Sequence, residues 1–298
     1  MKKNFSLVAL CMIFLCLFIA PDHAFTQIQL PTGHVRTIES KIVEDMTYDL
    51  YIDLPPGYEE SDQTYPVIYL LDAYEVWGLV LQTYQQLIFL NDIPKMIIVG
   101  ISYPIEGDFY TEGMKKHLDI RARDFTPTHL SYEETVKKHG KGTAQFIRVS
   151  GGGKKFLGFI EKELIPFIEK EYRADPDNRG LFGYSLGGTF TTFAMLYKPG
   201  LFHKYFIGSP FLNWDDKAAY TFDNLDRLET SGDTVNVYIS WGELESAEGR
   251  HHPLKNYLEE KANPHVQFLS EVLPGENHLS GVGLANSRAF RRLYGRKK

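Results

Sequence analysis

The sequence predicts an α/β fold with a mostly parallel, doubly wound sheet. Short, continuous apolar runs rich in β-branched and aromatic residues are typical of strands buried on both faces. These runs alternate with longer segments of helical periodicity, which favours parallel strands joined by crossover helices. The length of 298 residues and an apolar content of 43% suffice for one large core. We therefore expect a single domain over residues 30–298.

The predicted domain begins with an antiparallel N-terminal edge. Residues 34–40 and 46–54 alternate apolar and polar side chains, which indicates a hairpin at the edge of the sheet. Two apolar runs, at residues 65–71 and 95–102, predict buried strands, and residues 76–90 between them predict a helix.

Residues 104–150 show no sustained period and are rich in charge, glycine and aromatic side chains. We expect a loop-rich cap region there rather than a second domain. Beyond this region the alternation of strands and helices resumes. The predicted elements are a helix over 152–172, a strand ending near 182, a helix over 189–197, strands at 204–208, 235–240 and 266–271, and helices at 253–261 and 283–294.

The first 24 residues predict a signal peptide. A basic start, Lys2-Lys3, precedes a nearly unbroken apolar stretch over residues 6–20. A membrane anchor is the alternative, but this stretch is shorter than the roughly 20 residues that a spanning helix needs. Both cysteines fall within the segment, so the mature chain is expected to contain no disulfide. We expect a secreted or periplasmic protein with no stable membrane anchor after cleavage.

The charge and the motifs exclude several classes of partner. A net charge of −6 argues against nucleic acid, and no basic cluster is long enough to reverse that balance. No H-E-x-x-H motif occurs, and the Gly151-Gly152-Gly153-Lys154 run lacks the first glycine and the Ser/Thr of a phosphate-binding loop. We therefore expect neither a metal nor a cofactor.

The stretch Gly183-Tyr184-Ser185-Leu186-Gly187-Gly188 contains a G-x-S-x-G pattern between a predicted strand and a predicted helix. A serine on such a sharp turn has a strained backbone, and side chains two residues away on either side would collide across it. This is the pattern of the nucleophile elbow in the α/β-hydrolase fold. Ser185 is therefore the candidate nucleophile.

A serine hydroxyl needs a base, which an acid in turn orients. In α/β-hydrolases the chain order is serine, acid, histidine. Of ten histidines only His278 lies between the last predicted strand and the last predicted helix, so it is the candidate base. Glu243 and Glu245 both follow the preceding strand, and their spacing does not choose between them as the acid. Weaker candidates for the acid are Glu248, Asp215 and Asp216.

An oxyanion hole requires two backbone N–H groups directed at the developing charge. One is expected from Leu186, which follows the nucleophile. The other should follow the strand over residues 65–71, which makes Ala73 or Tyr74 the candidate. Asp72 is expected to hold this turn through local hydrogen bonds.

Several spaced motifs together resemble the bacterial Putative esterase family of α/β-hydrolases, and the resemblance covers roughly residues 35–295. An R-x-R-D-x-T-P segment is most similar to the siderophore (trilactone) esterase-like branch. The motifs are Tyr65–Asp72, Val99–Ser102, Arg121–Pro127, Gly183–Gly188, Gly208–Phe211 and Trp241–Glu245.

The resemblance implies a serine carboxylic ester hydrolase with Ser185 as nucleophile and His278 as base. The family's acid position aligns with Glu245, although some similar siderophore esterases work with a Ser–His dyad. The family usually has glycine where Ala73 stands, and its pattern favours the N–H of Tyr74 in the oxyanion hole. Siderophore esters or polysaccharide-linked esters are the substrates that the resemblance implies.

Two sets of side chains are candidates for substrate binding. Arg121 and Arg123 fit an anionic ester such as a catecholate, but the favoured interpretation is a structural ion pair of Arg123 with Asp124 that holds the cap. Aromatic residues in the same regions suit either a pocket or the core. These aromatic residues are Tyr110, Phe211, Trp214 and Trp241.

The leading interpretation is a secreted serine esterase that acts through an acyl-enzyme on a small-molecule or glycan ester. An acyltransferase on the same fold is the second, because the elbow motif does not distinguish water from an alcohol acceptor. The third is a non-catalytic siderophore-binding or glycan-binding protein on a hydrolase scaffold.

Overall fold

The computed structural model describes residues 33–104, 113–245 and 252–296, so the predicted signal peptide lies outside the described residues. The described chain forms one eight-stranded sheet in the order β1-β2-β4-β3-β5-β6-β7-β8. The β1–β2 and β2–β4 pairs are antiparallel, and the other pairs are parallel. The predicted mostly parallel sheet with an antiparallel N-terminal edge is confirmed. The strands are β1 (His34–Glu39), β2 (Thr47–Asp53), β3 (Tyr65–Leu70), β4 (Ile97–Ser102), β5 (Ala174–Tyr184), β6 (Lys204–Gly208), β7 (Val235–Gly242) and β8 (Val266–Leu273).

Helices connect most of the parallel strands. The fourth helical segment, α4, contains a π-helical turn at Ile160–Leu164 between α-helical parts at Gly153–Phe159 and Ile165–Glu171. A 3₁₀ segment, Trp214–Phe222, follows β6. The other helices are α1 (Ala73–Phe89), α2 (Met114–Phe125), α3 (Tyr132–Phe146), α5 (Leu186–Tyr197), α6 (Arg227–Ser231), α7 (His252–Lys261) and α8 (Gly281–Tyr294). No helix among the described residues is long and apolar enough to cross a bilayer.

Apolar side chains are buried on both faces of the sheet. In β3, Val67 and Tyr69 belong to one hydrophobic cluster, whereas Ile68 and Leu70 belong to a second one. This alternation places a cluster on each face, because successive side chains of a strand point to opposite sides. Helices α4 and α5 contribute to the first cluster, and α1 and α8 to the second. Burial on both faces explains why β3 is a continuous apolar run.

The predicted cap region contains two helices, α2 and α3, among its described residues. Their apolar pattern is weak for two physical reasons. Helix α2 buries the polar residues His117 and Asp124 together with Phe125. Helix α3 is interrupted at Gly140, whose φ of 83° lies outside the helical range. Both helices are therefore harder to predict from apolar residues alone.

The sheet brings the carboxyl ends of its parallel strands to one edge. The register pairs Leu70 of β3 with Phe182 of β5, Tyr184 of β5 with Gly208 of β6, and Gly208 with Ser240 of β7. Chain segments that leave these strands therefore begin side by side. In open α/β sheets this edge is where ligands bind.

Candidate active site

Ser185 stands alone between the end of β5 at Tyr184 and the start of α5 at Leu186. Its backbone has φ 57° and ψ −122°, a strained conformation for a residue with a side chain. The Ser185 N–H donates a 2.8 Å hydrogen bond to the carbonyl of Gly208 in the neighbouring strand. The turn thus projects the serine hydroxyl from the carboxyl edge of the sheet.

The glycines of this turn are required by close approaches of the backbone. A Cβ on Gly183 would lie 2.3 Å from the carbonyl oxygen of Gly187, and a Cβ on Gly188 would lie 2.7 Å from that of Gly208. A Cβ on Gly187 would lie 3.1 Å from Oδ2 of Asp72. Real Cβ atoms do not approach backbone oxygen this closely, so the collisions expected from the G-x-S-x-G pattern have named partners here.

Ser185, His278 and Glu245 form a chain of hydrogen-bond contacts. Nε2 of His278 lies 2.9 Å from Oγ of Ser185, and Nδ1 lies 2.8 Å from Oε2 of Glu245. A carboxylate can only accept, so Nδ1 carries the proton and Nε2 is left as the acceptor for the serine hydroxyl. The three side chains come from the turns after β5, β8 and β7. This is the geometry that nucleophile activation requires.

Three hydrogen bonds from described residues hold Glu245 ionised. Its Oε1 accepts from Oγ of Ser209 at 2.7 Å and from the N–H of Gly242 at 2.8 Å, and its Oε2 contacts His278. Only 2% of its side chain is exposed. Burial alone would raise the pKa of Glu245, but these hydrogen bonds outweigh burial and lower the pKa to about 2. The carboxylate therefore stays charged beside the imidazole.

The other candidate acids make different contacts. Oε2 of Glu243 accepts a 2.8 Å hydrogen bond from the N–H of Gly275, and no contact joins it to His278 among the described residues. Asp215 and Asp216 both pair with Lys138 of α3, at 2.5 and 2.8 Å. Of the described candidates, Glu245 is the one that the structure brings to the histidine.

Two further hydroxyl groups, which the sequence pattern does not single out, form hydrogen bonds within this site. The Tyr184 hydroxyl donates to the backbone carbonyl of His278 at 2.9 Å, and it lies 2.9 Å from Oγ of Ser209. Tyr184 is the first variable position of the G-x-S-x-G pattern, and Ser209 follows Gly208 at the end of β6. One indication in the sequence pointed to a role for these residues, which is their position next to recognised motifs. The hydrogen bond from Ser209 to Glu245 is evident only in the folded chain.

A cavity of about 740 Å³ opens beside Ser185 and His278. Apolar side chains dominate its lining, and three charged side chains, Asp72, Glu75 and Arg121, also reach it. Phe146 and Leu279 contribute to its lining although they are 61% and 79% exposed, so an apolar rim faces solvent. The other apolar lining residues include Leu118, Ile147, Phe182, Phe206, Phe211 and Val282.

Asp72 and Arg121 form a bidentate ion pair in the wall of the cavity. The Arg121 Nε donates to Oδ1 at 2.6 Å and Nη2 donates to Oδ2 at 2.9 Å. Burial raises the pKa of Asp72, and the charge of Arg121 opposes that rise. Burial alone would lower the pKa of Arg121, but the Asp72 carboxylate outweighs it and raises the pKa. Both carboxylate oxygens accept from the guanidinium, which is the bonding pattern of an ionised carboxylate.

This ion pair corrects the expectation for Asp72. Its side chain makes no capping hydrogen bond at the start of α1, where its φ is 56°. It reaches instead to Arg121, a partner 49 residues away in the chain. Arg121 does line the cavity, as a substrate-binding candidate should, but two of its donors are already committed to Asp72.

Glu75 and His117 form a second polar pair between α1 and α2. Nε2 of His117 lies 3.0 Å from Oε1 of Glu75. The histidine is buried, whereas 42% of the Glu75 side chain is exposed. The hydrogen bond with His117 lowers the pKa of Glu75, although burial opposes the shift. No sequence motif marks either residue.

Comparison with known proteins identifies the family. The family model described as Putative esterase matches residues 42–133 and 117–291. The chain belongs to the Putative esterase family. Ferri-bacillibactin esterase BesA of Bacillus subtilis (strain 168) is 30% identical over 288 residues, which cover 91% of each chain. The resemblance inferred from the motifs is thereby confirmed.

Solved structures of similar proteins have the same fold. The BES protein from Bacillus cereus is 30% identical, with a TM-score of 0.71 over 88% of this chain and 95% of that one. An IroE-like serine hydrolase from Shewanella oneidensis is 27% identical, with a TM-score of 0.67 over 88% of this chain and 80% of that one. The predicted α/β-hydrolase fold is therefore confirmed.

Arg123 forms an ion pair with the neighbouring Asp124. Its Nε donates to Oδ1 of Asp124 at 2.8 Å, and the Tyr48 hydroxyl donates to Oδ2 at 2.8 Å. Burial raises the pKa of Asp124 to about 6, although both partners oppose the rise. The cluster joins α2 to β2 and is not part of the cavity lining among the described residues. This is the structural ion pair of Arg123 with Asp124 that the sequence analysis considered.

The two tryptophans proposed for the pocket lie in the core. Trp214 stacks on His139 at 5.4 Å between ring centroids, and its Nε1 donates to the Thr128 carbonyl at 3.2 Å. Trp241 is likewise buried, at the end of β7. Neither is among the described cavity-lining residues, whereas Phe211 is. Both tryptophans are close in sequence to site residues, but their large apolar rings are buried in the core instead of facing the cavity. Tyr110 and Glu248 lie outside the described residues.

The oxyanion-hole candidates lie at two helix N-termini. Leu186 is the first residue of α5, and Ala73 and Tyr74 are the first two residues of α1. The first N–H groups of a helix have no intrahelical partner and carry the positive end of the helix dipole. Leu186 and Asp72, the residue before α1, both line the cavity, so the two termini meet there. No group of side chains suited to a metal ion occurs in the part of the chain that the structure describes.

Proposed function

We propose that this protein is a serine esterase that hydrolyses carboxylic esters through an acyl-enzyme. The observation that carries the proposal is the pair of contacts at His278, 2.9 Å to Ser185 Oγ and 2.8 Å to Glu245 Oε2. These contacts support Ser185 as the nucleophile, His278 as the general base and Glu245 as the residue that orients the base. Membership of an esterase family supports the same reaction class.

The geometry suits a two-step mechanism. Ser185 Oγ attacks the ester carbonyl while Nε2 of His278 takes the hydroxyl proton, and the Glu245 carboxylate stabilises the imidazolium. The N–H groups of Leu186 and of Tyr74 or Ala73 would hold the oxyanion. His278 then gives its proton to the leaving alcohol, and the acyl group stays on Ser185. Water attacks this ester with His278 again as base, which releases the acid and restores the serine.

Siderophore esters are the substrate class that we propose. The similar Bacillus subtilis protein is named a ferri-bacillibactin esterase, and its similarity extends over 91% of this chain. The cavity of about 740 Å³, with an apolar lining and an open rim, suits a bulky ester that extends into solvent. A hydrolysis panel of trilactone siderophores, feruloyl esters and acetylated sugars tests the class.

The catalytic proposal is tested with two variants. We expect Ser185→Ala to abolish hydrolysis of activated short-chain esters and labelling by a fluorophosphonate probe. The matched control is Ser231→Ala, which replaces an exposed serine of α6 and should leave both unchanged. Equal hydrolysis by Ser185→Ala and the native chain would refute the assignment. Formation of a new ester with a competing alcohol would indicate an acyltransferase instead.

We also propose that the protein is exported. The basic start and the apolar stretch over residues 6–20 support this proposal. Expression of the full chain in a bacterial host, followed by fractionation and N-terminal sequencing, should find a shortened protein outside the cytoplasm. A full-length protein retained in the cytoplasm would contradict export.

A further inference from the structure

Asp72 connects β3 to α1, whose first two N–H groups are candidates for the oxyanion hole. The preceding Leu71 is fixed to the sheet, because its N–H donates a 3.0 Å hydrogen bond to the Phe182 carbonyl. The Asp72 carbonyl accepts from the first turn of α1, at 2.9 Å from the N–H of Glu75 and at 3.2 Å from that of Val76. The dihedral angles of Asp72 therefore set the direction in which α1 leaves the sheet, and with it the direction of the first N–H groups of the helix.

The backbone of Asp72 lies in the left-handed region. Its φ of 56° and ψ of 33° are unfavourable for a residue with a side chain, although aspartate tolerates them better than most. Such a conformation persists only where the surrounding structure holds it. The Asp72 side chain makes no capping hydrogen bond to α1, so its hold comes from another part of the fold.

Two neighbouring elements meet the Asp72 side chain. Arg121 of α2 donates to both carboxylate oxygens, at 2.6 and 2.9 Å, and its guanidinium carbon lies 5.5 Å from the centre of the Phe125 ring. The Oδ2 atom also lies near Gly187, where an added Cβ would come within 3.1 Å of it. Gly187 follows Leu186 in the first turn of α5. The carboxylate is therefore held by the cap helix α2 and lies near the turn that supplies the other N–H of the candidate oxyanion hole.

We propose that Arg121 is a positioning residue that aligns the oxyanion hole through Asp72. The proposal rests on the esterase function proposed above and concerns its transition state. An oxyanion hole lowers the barrier only if its donors already point at the position where negative charge develops. The two-point contact with Arg121 fixes the residue that directs the first N–H groups of α1. Loss of this contact lets the strained turn relax, and the N–H groups then no longer point at the oxygen.

One ester and a matched pair of ketones separate oxyanion stabilisation from substrate binding. The ester is 4-nitrophenyl 3-phenylpropanoate, and 1,1,1-trifluoro-4-phenylbutan-2-one carries the same acyl part. Ser185 Oγ adds to the carbonyl carbon of this ketone, His278 takes the hydroxyl proton, and the carbonyl oxygen becomes an oxyanion that mimics the transition state. 4-Phenylbutan-2-one lacks the fluorine atoms that favour this addition, so its affinity reports on the pocket alone.

The double variant Asp72→Asn, Arg121→Met removes both charges and should keep most of the stability. We expect its kcat for the ester to fall about tenfold or more, and its affinity for the trifluoromethyl ketone to fall by a similar factor. Its KM and its affinity for 4-phenylbutan-2-one should stay within about twofold of the native values. Arg121→Lys keeps the compensating charge but not the planar two-point contact, and it should lose kcat about threefold or more.

The matched control uses a second ion pair of α2. Nε and Nη2 of Arg148 donate to the two carboxylate oxygens of Asp119, at 2.9 and 2.8 Å. Neither residue is among the described residues that line the cavity. The double variant Asp119→Asn, Arg148→Met removes a like pair of charges and should leave kcat and both ketone affinities unchanged.

Three results overturn the proposal. The first is a folded Asp72→Asn, Arg121→Met or Arg121→Lys variant with native kcat and native affinity for the trifluoromethyl ketone. The second is an equal loss in the control double variant. The third is a rise in KM without a fall in kcat, which would assign Arg121 to substrate binding. Absence of ester hydrolysis by the native protein would instead refute the esterase function itself.

Discussion

Ser209 donates a 2.7 Å hydrogen bond to Oε1 of Glu245, the carboxylate whose other oxygen lies 2.8 Å from His278. Ser209, in the turn after β6, therefore extends the hydrogen-bonded chain of Ser185, His278 and Glu245 by one residue. Ser209 adopts a φ of 39°, which is unusual for a residue other than glycine. The strand ends of β5, β6, β7 and β8 thus all contribute to one hydrogen-bonded group.

Replacement of Ser209 by alanine should weaken catalysis without abolishing it. The change removes the hydrogen bond from Ser209 to Glu245 and lets that carboxylate turn away from His278. We expect kcat/KM to fall about tenfold, the equivalent of ~1.4 kcal/mol. The loss should grow as the pH is lowered, because the pKa of Glu245 rises when the hydrogen bond is gone. Steady-state kinetics over a pH series measures both effects, and a uniform loss at every pH would speak for a purely structural role.

The acid stability of the protein should depend on Glu245. Its pKa is about 2 in the folded protein against an ordinary value of 4.5, so the unfolded state binds more protons between these values. The stabilisation is fully present above about pH 4.5 and is lost as the pH falls towards 2. We expect Glu245→Gln to be less stable than the native protein at neutral pH and to lose less stability on acidification. Thermal unfolding across this range provides the measurement.

Glu243→Gln is the matched control for this experiment. The residue lies in the same loop, but its carboxylate contacts the N–H of Gly275 rather than the histidine. We expect the variant to retain activity and the native slope of stability against pH. Loss of activity in Glu243→Gln alone would exchange the roles of the two glutamates.

The Asp72–Arg121 pair should behave as a unit. Removal of one partner leaves a buried charge uncompensated, so Arg121→Met is expected to lower the free energy of unfolding by about 3–5 kcal/mol. The double variant Asp72→Asn, Arg121→Met removes both charges and should recover much of that loss. Urea denaturation of the two single variants and the double variant completes the cycle. Additive losses would show that the two side chains do not depend on each other.

The turn at Ser185 should not tolerate a methyl group at Gly188. A Cβ there would lie 2.7 Å from the Gly208 carbonyl oxygen and 3.2 Å from Cβ of Pro210. We expect Gly188→Ala to lower stability by about 1–3 kcal/mol and to reduce activity, because the backbone that positions Ser185 must shift. Gly78→Ala, in the open middle of α1, meets nothing within 4 Å and should stabilise by about 0.5–1 kcal/mol. Thermal unfolding and ester hydrolysis of both variants check the contrast.

Much of the fold and part of the site were predictable because they depend on chain order. The sheet follows from the alternation of apolar runs and helical segments, and Ser185 and His278 follow from their positions after strands. Residue spacing did not choose the acid, since Glu243 and Glu245 are two residues apart in one loop, and only the resemblance to the family favoured Glu245. The contact between Glu245 and His278 depends on the turn that brings the Glu245 carboxylate back to the Gly242 N–H at 2.8 Å. Residue spacing does not encode this side-chain direction.

The cavity wall was the least predictable part, because its contacts link distant segments. Asp72 and Arg121 are 49 residues apart, and Glu75 and His117 are 42 apart. Helix α2 supplies one partner of each pair, His117 and Arg121, and an apolar pattern does not mark polar side chains. Trp214 shows the converse error, since an aromatic residue next to a site is more often drawn into the core.

The ion pair between Asp72 and Arg121 also limits how this protein can be recombined with its relatives. One partner precedes α1 and the other lies within α2, so a crossover between the two helices can separate them. A chimaera that inherits the arginine from one parent and lacks the aspartate from the other buries a lone charge in the wall of the cavity that Ser185 also lines. Libraries built by exchanging α2 to alter substrate choice should therefore carry both residues from the same parent.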